Sequence, residues 1–263
     1  MKLKEVLLHR PGVEIHYMKD EPEKFSWKEK PELKKLQKEH DSFAEVLREE
    51  GIKINYLVKS LPSKPNLMFI RDCAFVLNKK ALILRLASKH RQGEEILVKE
   101  KLFRLGFRIA GQLIYPAILE GSSIFLLDEK SALIGIDGRA NLDGVEKFKK
   151  TFEMDVFYLK GDLSKVLNFA GNLAILSERM VDSRVYEFLK EKEYEIILAS
   201  REDEEVHGIE FLQIDSSKIV NVECELNRKL RMNGFDVIEL EVEELLKGLA
   251  GVKGLVLPLD YKI

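Results

Sequence analysis

Short apolar segments alternate with longer amphipathic segments along the chain, and their order repeats. In the clearest case Ala74–Leu77 and Ala81–Leu86 flank a polar turn, as the two strands of a hairpin do. A helical pattern follows from about Gly93 to Leu105, and Phe107–Ala110 then forms another apolar segment. The pattern predicts a unit of two hairpin strands, a helix and a returning strand.

Three later parts of the chain show the same unit. Their helices are predicted at Leu142–Phe152, Ser183–Glu191 and Glu223–Asn233. Asn141 is well placed as an N-cap, because its short polar side chain can accept a hydrogen bond from the first turn of a helix. The predicted helix starts recur at intervals of roughly 40–50 residues, a spacing that is typical of repeat proteins.

One further helix, predicted from Pro31 to Gly51, has no hairpin before it. Its strands would be Glu5–His9 and, from the far end of the chain, Leu255–Pro258. We therefore predict an α/β fold with a single domain, residues 1–263, in which five units form a ring that the two ends of the chain close. An ordinary α/β protein with irregular connections is the alternative.

Residues Asp20–Lys30 form the longest stretch without a regular pattern. Phe25 and Trp27 lie there among many charged residues. We expect a surface loop near the opening of the ring, and this loop is a candidate lid.

Composition limits the partners of the chain. A net charge of −2 over 263 residues, with 45% hydrophobic and 33% charged residues, is typical of a globular protein and provides no basic surface for nucleic acid. The apolar segments are too short to cross a membrane, and the N-terminus lacks a secretory pattern. Two cysteines form neither a disulfide framework nor a zinc site. We predict a cytoplasmic protein without metal, cofactor, nucleic-acid or membrane partners, and the sequence leaves a homo-oligomer open.

Lysine and glutamate dominate the charged residues, while glutamine is scarce. This bias is typical of proteins from hyperthermophiles, so it indicates a thermophilic source and says nothing about function.

Several segments resemble arginine deiminases and the related amidinotransferases. They are Val6–Gly12, Glu39–Gly51, Asn66–Asp72, Leu119–Gly121 and Ile134–Asn141. The resemblance implies the fold of these enzymes, a five-bladed α/β propeller that is known as the pentein fold. It also implies a pocket that recognises a guanidinium group.

The resemblance places six residues in this pocket: Asn66, Phe69, Asp72, Arg91, Glu120 and Arg139. A guanidinium is a planar cation rich in N–H donors, so carboxylates such as Asp72 and Glu120 suit it. The resemblance assigns Arg91 and Arg139 to the α-carboxylate of the ligand. Taken singly, each of these residues is more often a turn residue or a solvated charge. Together they imply a small guanidino amino acid, such as arginine, as the partner.

The catalytic positions depart from the family pattern. The enzymes attack the guanidinium carbon with a cysteine thiolate, assisted by a histidine, but Gly254 and Asn168 occupy these positions here. A second expected aspartate is replaced by Ala170, and Ser122 follows Gly121 where the family usually has glycine. The first hypothesis is therefore a protein that binds a guanidino compound without converting it.

Two other functions compete with this hypothesis. An active hydrolase or amidinotransferase would need another nucleophile. Cys224 suits that role better than Cys73, because it lies near a predicted helix start where the helix dipole lowers a thiol pKa. Cys73 follows Asp72 on an extended segment and should face away from the pocket. The third hypothesis is a protein-interaction module, because the same fold also serves a ribosome-associated translation factor.

Overall fold

The computed structural model describes residues 2–180 and 182–262, and this part of the chain contains five three-stranded sheets. The strands are β1 (Lys2–Leu8), β2 (Lys53–Tyr56), β3 (Ala74–Leu77), β4 (Lys80–Ile83), β5 (Arg108–Gln112), β6 (Ile124–Leu126), β7 (Ser131–Ile136), β8 (Asp155–Lys160), β9 (Leu167–Ala170), β10 (Leu173–Ser177), β11 (Glu195–Ala199), β12 (Leu212–Gln213), β13 (Lys218–Val222), β14 (Asp236–Leu240) and β15 (Leu257–Lys262). The α-helices are α1 (Leu33–Glu49), α2 (Glu94–Arg104), α3 (Leu142–Phe152), α4 (Ser183–Glu191), α5 (Arg201–Glu205) and α6 (Leu226–Met232).

Every sheet has the same topology. The middle strand pairs antiparallel with one neighbour and parallel with the other, and the parallel neighbour follows a helix in the chain. The two ends of the chain share one sheet with the order β15-β1-β2, in which Val6 lies opposite Pro258. The predicted pairing of the N-terminal and C-terminal strands is confirmed.

Hydrophobic packing connects the five sheets in a cycle. The middle strand of each sheet points alternate side chains to opposite faces, so each sheet packs against two neighbours. Val6 of β1 belongs to a cluster shared with β13, whereas the adjacent Leu7 packs with β3. The other clusters join β4 with β7, β7 with β10, and β10 with β13. This closed cycle is consistent with the predicted five-bladed propeller.

Some helix ends differ from the predictions because tertiary contacts set them. The bounds of α3 and α4 are confirmed, and Asn141 Oδ1 accepts a hydrogen bond from the first turn of α3 (3.0 Å). The predicted bounds of α1, Pro31 and Gly51, each lie two residues outside the helix and are wrong. The predicted start of α6 is also wrong, because Asp203 Oδ1 accepts a hydrogen bond from Leu226 N (2.7 Å) and caps the helix there. Asp203 belongs to α5, which the sequence analysis did not predict.

The segment Asp20–Lys30 packs against the core. Phe25 and Trp27 are buried, and Lys28 N donates to the Lys247 carbonyl oxygen (2.7 Å). The two buried aromatic side chains anchor the predicted surface loop, because moving it would expose them to water. A lid motion of this segment stays a prediction.

Candidate functional site

Short 3₁₀ turns precede the strands β3, β6 and β15, and three of the residues singled out in the sequence lie at these turns. Asp72 lies in the turn Ile70–Cys73 before β3, and Glu120 directly precedes the turn Gly121–Ser123 before β6. Gly254 lies in the equivalent turn before β15. Since these turns occupy equivalent places in neighbouring sheets, they bring their side chains together.

All six residues that the resemblance placed in the pocket line one cavity of about 460 Å³. They are Asn66, Phe69, Asp72, Arg91, Glu120 and Arg139, and Gly254 lines the same cavity. Asn168, which the resemblance assigned to the place of the family histidine, lines a different cavity. The structure therefore places the six predicted binding residues and Gly254 around one cavity and Asn168 at another.

The Asp72 carboxylate accepts hydrogen bonds on both oxygens. Arg91 Nη1 donates to Oδ2 (2.6 Å), and Ser122 N donates to Oδ1 (2.9 Å). Burial acts to raise the pKa of Asp72, but the guanidinium groups of Arg91 and Arg139 outweigh it and hold this pKa below its ordinary value. Asp72 is therefore an ionised carboxylate inside the cavity wall.

Arg91 is bonded to the protein on several sides. Besides Asp72, its guanidinium donates to the Phe69 carbonyl oxygen (2.9 Å) and to Glu94 Oε2 (2.9 and 3.1 Å). Burial raises the pKa of Glu94 to about 7. The predicted contact between Arg91 and a ligand carboxylate stays a prediction, since the guanidinium already has these partners.

Glu120 is a buried carboxyl group that titrates near neutral pH. Its Oε1 accepts a hydrogen bond from Ala87 N (2.9 Å). Burial raises the pKa of Glu120 to about 7, and the negative charge of Asp72 acts in the same direction. A cation in the cavity would favour its ionised form, because opposite charges attract strongly where water is excluded.

Arg139 is the more accessible of the two arginines, with a side chain that is 28% exposed, compared with 11% for Arg91. Its guanidinium pairs with Asp162 and donates to Ser164 Oγ (2.6 Å). Asp162 and Ser164 were not predicted as site residues. An aspartate followed two residues later by a serine, just before a strand, is nevertheless a common turn signal.

Asn66 lines the cavity, but its side-chain amide holds the segment Asp20–Lys30. Its Oδ1 accepts a hydrogen bond from Trp27 Nε1 (2.6 Å), and its Nδ2 donates to the Phe25 carbonyl oxygen (2.8 Å). The neighbouring Phe69 ring packs against Trp27 at a centroid distance of 5.8 Å. Both residues thus connect the cavity wall to this segment.

Gly254 and Asn168, the two residues predicted to replace the family cysteine and histidine, have different surroundings. A Cβ atom on Gly254 would lie 3.4 Å from Phe69 Cδ1, an ordinary contact, so the cavity has space for a side chain there. Asn168 is buried, and its Nδ2 donates to the carbonyl oxygens of Ile209 (2.8 Å) and Phe211 (3.0 Å). The Asn168 side chain thus serves the internal packing of the sheets.

Neither Cys73 nor Cys224 lines the cavity of about 460 Å³ or the cavity that Asn168 lines. Burial raises the pKa of Cys73 well above its ordinary value. Burial also raises the pKa of Cys224 to about 12, and the charge of Asp203 adds to this effect. The prediction that a helix dipole lowers the Cys224 pKa is wrong, because Cys224 lies before the start of α6 and desolvation dominates.

The cavity has one more acidic residue, besides Asp162, that was not predicted from the sequence. Glu210 lines the cavity, and its Oε1 lies 2.7 Å from His207 Nδ1. A Cβ atom on Gly251 would lie 2.6 Å from Glu210 Cβ, so glycine permits this close packing. No pattern in the sequence indicates that Glu210 packs against Gly251, because this contact joins the loop after α5 to the turn before β15.

Two further structural findings concern the described residues only. Within residues 2–180 and 182–262, no group of three or more histidine, cysteine, aspartate or glutamate side chains is arranged to hold a metal ion. Over the same ranges, no helix combines the length and the apolar character needed to cross a membrane.

The fold is shared with solved structures of guanidine-converting enzymes. The dimethylarginine dimethylaminohydrolase from Pseudomonas aeruginosa, in a complex of a mutant with citrulline, has a TM-score of 0.82 at 17% identity and covers 98% of this chain and 100% of that chain. The N-terminal domain of ArgZ, an arginine dihydrolase from cyanobacteria, was solved with its product bound. It has a TM-score of 0.86 at 20% identity, and the match covers 100% of this chain and 99% of that chain. At these identities the likeness shows the fold alone.

Sequence relatives extend the comparison. The uncharacterized protein YkgA of Bacillus subtilis is 22% identical over 266 aligned positions, which cover 98% of this chain and 92% of that protein. The arginine deiminase of Streptococcus uberis is 54% identical over 59 residues, which are 22% of this chain and 14% of that enzyme. A family model described as "N,N dimethylarginine dimethylhydrolase, eukaryotic" matches residues 18–250. This match spans most of the sequence, so the chain belongs to the N,N-dimethylarginine dimethylhydrolase family of guanidino-group hydrolases, within the pentein superfamily that also contains the arginine deiminases.

Proposed function

We propose that this protein binds a small amino acid with a guanidinium group, such as arginine, in the cavity of about 460 Å³, and that it does not convert this ligand. One observation carries the proposal. Two buried carboxylates, Asp72 and Glu120, line the same cavity as the accessible Arg139. Carboxylates at one place and an arginine at another match a ligand with a cationic tail and an α-carboxylate.

The charge balance of the cavity supports a cationic ligand. The acids that line it are Asp72, Glu120, Asp162 and Glu210, and the bases are Arg91, Arg139 and Lys165. The two arginines also contact Glu94 and Asp137, which raises the number of acids to six against three bases. A guanidinium group would therefore relieve repulsion among the carboxylates.

The two arginines would act differently toward such a ligand. We assign Arg139 to the α-carboxylate, because its side chain is accessible from the cavity and its partner Asp162 is exposed enough to be solvated. Arg91 can take part only by exchanging a contact with Asp72 or Glu94, since its guanidinium is bonded to both. In the unliganded protein Arg91 serves to orient Asp72.

The loss of catalysis is supported by the chemistry at the cavity. Gly254 offers no nucleophile, and both cysteines have raised pKa values, whereas attack on a guanidinium carbon needs a thiolate. The competing function is hydrolysis of a guanidino compound by another nucleophile, which membership in a family of hydrolases favours. The hypothesis of a protein-interaction module stays a prediction.

Binding can be measured by isothermal titration calorimetry with arginine and with agmatine, which lacks the α-carboxylate. We expect Arg139→Gln to weaken arginine binding by roughly tenfold or more, because it removes a charge-assisted hydrogen bond to the α-carboxylate. Agmatine binding should be unchanged, because agmatine lacks this carboxylate. Arg228→Gln is the matched control, because Arg228 pairs with Glu225 on the exposed surface. An equal loss for both ligands, or no heat with any guanidino compound, would contradict the proposal.

The pH dependence of binding follows from Glu120. Because its pKa is raised to about 7, the carboxyl group is mostly neutral below pH 6 and mostly ionised above pH 8. A guanidinium needs the ionised form, so we expect arginine affinity to rise between pH 6 and pH 8, with proton release on binding at pH 7. In Glu120→Gln this rise should disappear, whereas Glu94→Gln, which removes a second group with a pKa of about 7 outside the cavity lining, should retain it. A flat profile in the unmodified protein would refute the assignment.

Catalysis is tested with arginine, agmatine and N-methylated arginines at high protein concentration. We expect no citrulline, ornithine or ammonia to form above the uncatalysed rate. Product formation that is lost in Cys224→Ser would establish the competing hydrolase instead. Product formation that survives in both Cys224→Ser and Cys73→Ser would indicate a nucleophile other than a thiol. That result would also contradict the proposal that the protein binds its ligand without converting it.

A further inference from the structure

A second cavity, of about 170 Å³, lies behind the turns that line the first. Consecutive residues of the same turns face the two cavities: Arg71 lines the second and Asp72 the first, while Lys253 lines the second and Gly254 the first. Gly121 lines the second cavity next to the Arg71 backbone, whereas Glu120 lines the first. The second cavity therefore has its own polar groups, none of which the proposed guanidinium site uses.

Two cations in this cavity have no acidic partner. Neither the Arg71 guanidinium nor the Lys253 ammonium pairs with a carboxylate of residues 2–180 or 182–262, and Arg71 Nε is buried without any hydrogen-bond partner among them. Lys253 Nζ donates to Asn168 Oδ1 (2.7 Å) and lies 4.6 Å from the centroid of the Phe125 ring. Both residues are partly buried, and cations that lose contact with water are normally paired, so this arrangement is unusual.

The energetics of both groups favour an added anion. Burial lowers the pKa of Lys253 well below its ordinary value, Arg71 lowers it further, and Glu210 acts weakly in the opposite direction. Burial lowers the pKa of Arg71 as well, while the negative charge of Asp72 opposes this. An anion between the two side chains would restore favourable interactions that the protein alone does not supply.

The walls indicate the rest of the ligand. Aromatic and aliphatic side chains form most of the lining: Phe125, Phe169, Tyr194, Leu212 and Leu257. A guanidinium matches a carboxylate in a two-point hydrogen bond, and apolar walls favour an apolar body over a strongly hydrated dianion such as phosphate.

We propose that the second cavity binds a small organic carboxylate with an apolar body, held by Arg71 and Lys253. The site is independent of the guanidinium site, since it uses different side chains on the opposite side of the same turns.

Benzoate is a suitable probe, with benzamide as its neutral counterpart and inorganic phosphate as a second anion. In calorimetric titrations of the full chain we expect benzoate to bind, benzamide not to bind, and phosphate to bind more weakly than benzoate. Lys253→Met and Arg71→Gln should each weaken benzoate binding by roughly tenfold or more, because each removes a charge-assisted hydrogen bond. Arg228→Gln should leave it unchanged, and saturating arginine should not displace benzoate.

The stability of Lys253→Met provides a second readout. Asn168 Oδ1 also accepts a hydrogen bond from Phe169 N (3.0 Å), so it keeps a partner when the ammonium is removed. Lys253 is partly buried and has no carboxylate partner, so replacing it with an apolar side chain should leave the melting temperature of the protein without benzoate equal or higher. A variant that is as stable as the parent but does not bind benzoate supports the site.

Several results would overturn the proposal. They are the absence of benzoate binding, equal binding of benzoate and benzamide, tighter binding of phosphate, and full affinity in both variants. Displacement of benzoate by arginine would place benzoate in the first cavity and would likewise refute a separate site. Failure of the guanidinium proposal would leave these outcomes unaffected, because they do not depend on arginine binding.

Discussion

Only glycine fits where the turn before β6 crosses the turn that carries Asp72. A Cβ atom on Gly121 would lie 2.1 Å from the Arg71 carbonyl oxygen, far inside any van der Waals contact. This close approach brings Ser122 N within 2.9 Å of Asp72 Oδ1 and closes the wall between the two cavities. The orientation of Asp72 and the division of the interior both follow from this contact.

Consecutive residues of each turn face different cavities, so these turns place acidic groups at one cavity and basic groups at the other. Asp72 and Glu120 face one cavity, while Arg71 and Lys253 face the other. Burial acts on both sets of groups: it raises the pKa of Glu120 to about 7 and lowers the pKa of Lys253. In each cavity, a ligand of opposite charge would stabilise the ionised form that burial disfavours. The proposal for the first cavity draws on the resemblance to the family, whereas the proposal for the second rests on the residues of this chain alone.

The features that the sequence predicted are those set by local pattern or by short motifs. The bounds of α3 and α4 follow from apolar periodicity and a capping residue, and the shared sheet of the two termini follows from counting units. The gathering of Asp72, Glu120 and Arg139 in one cavity follows from matching motifs. The capping residue and the motifs lie within a few residues of the features that they predict, whereas the shared sheet is predicted from the repeat along the whole chain.

What the sequence did not predict depends on contacts between distant segments. Arg91 pairs with Asp72, and the Asn66 amide binds Trp27, although nothing near these residues specifies the partner. The pKa of Cys224 was predicted to fall, but burial by residues far away in sequence raises it. Such effects arise only when the sheets pack together, so a linear pattern cannot reveal them.

The most direct test of the guanidinium site uses Gly254→Cys, which introduces a thiol into the wall of the first cavity. The rate of its alkylation by iodoacetamide is measured with and without arginine. The unmodified protein supplies the background from the buried Cys73 and the partly buried Cys224, whose pKa values are both raised. At a concentration about ten times Kd, arginine leaves roughly a tenth of the sites empty, so the rate should fall roughly tenfold. An unchanged rate at saturating arginine would contradict binding in this cavity.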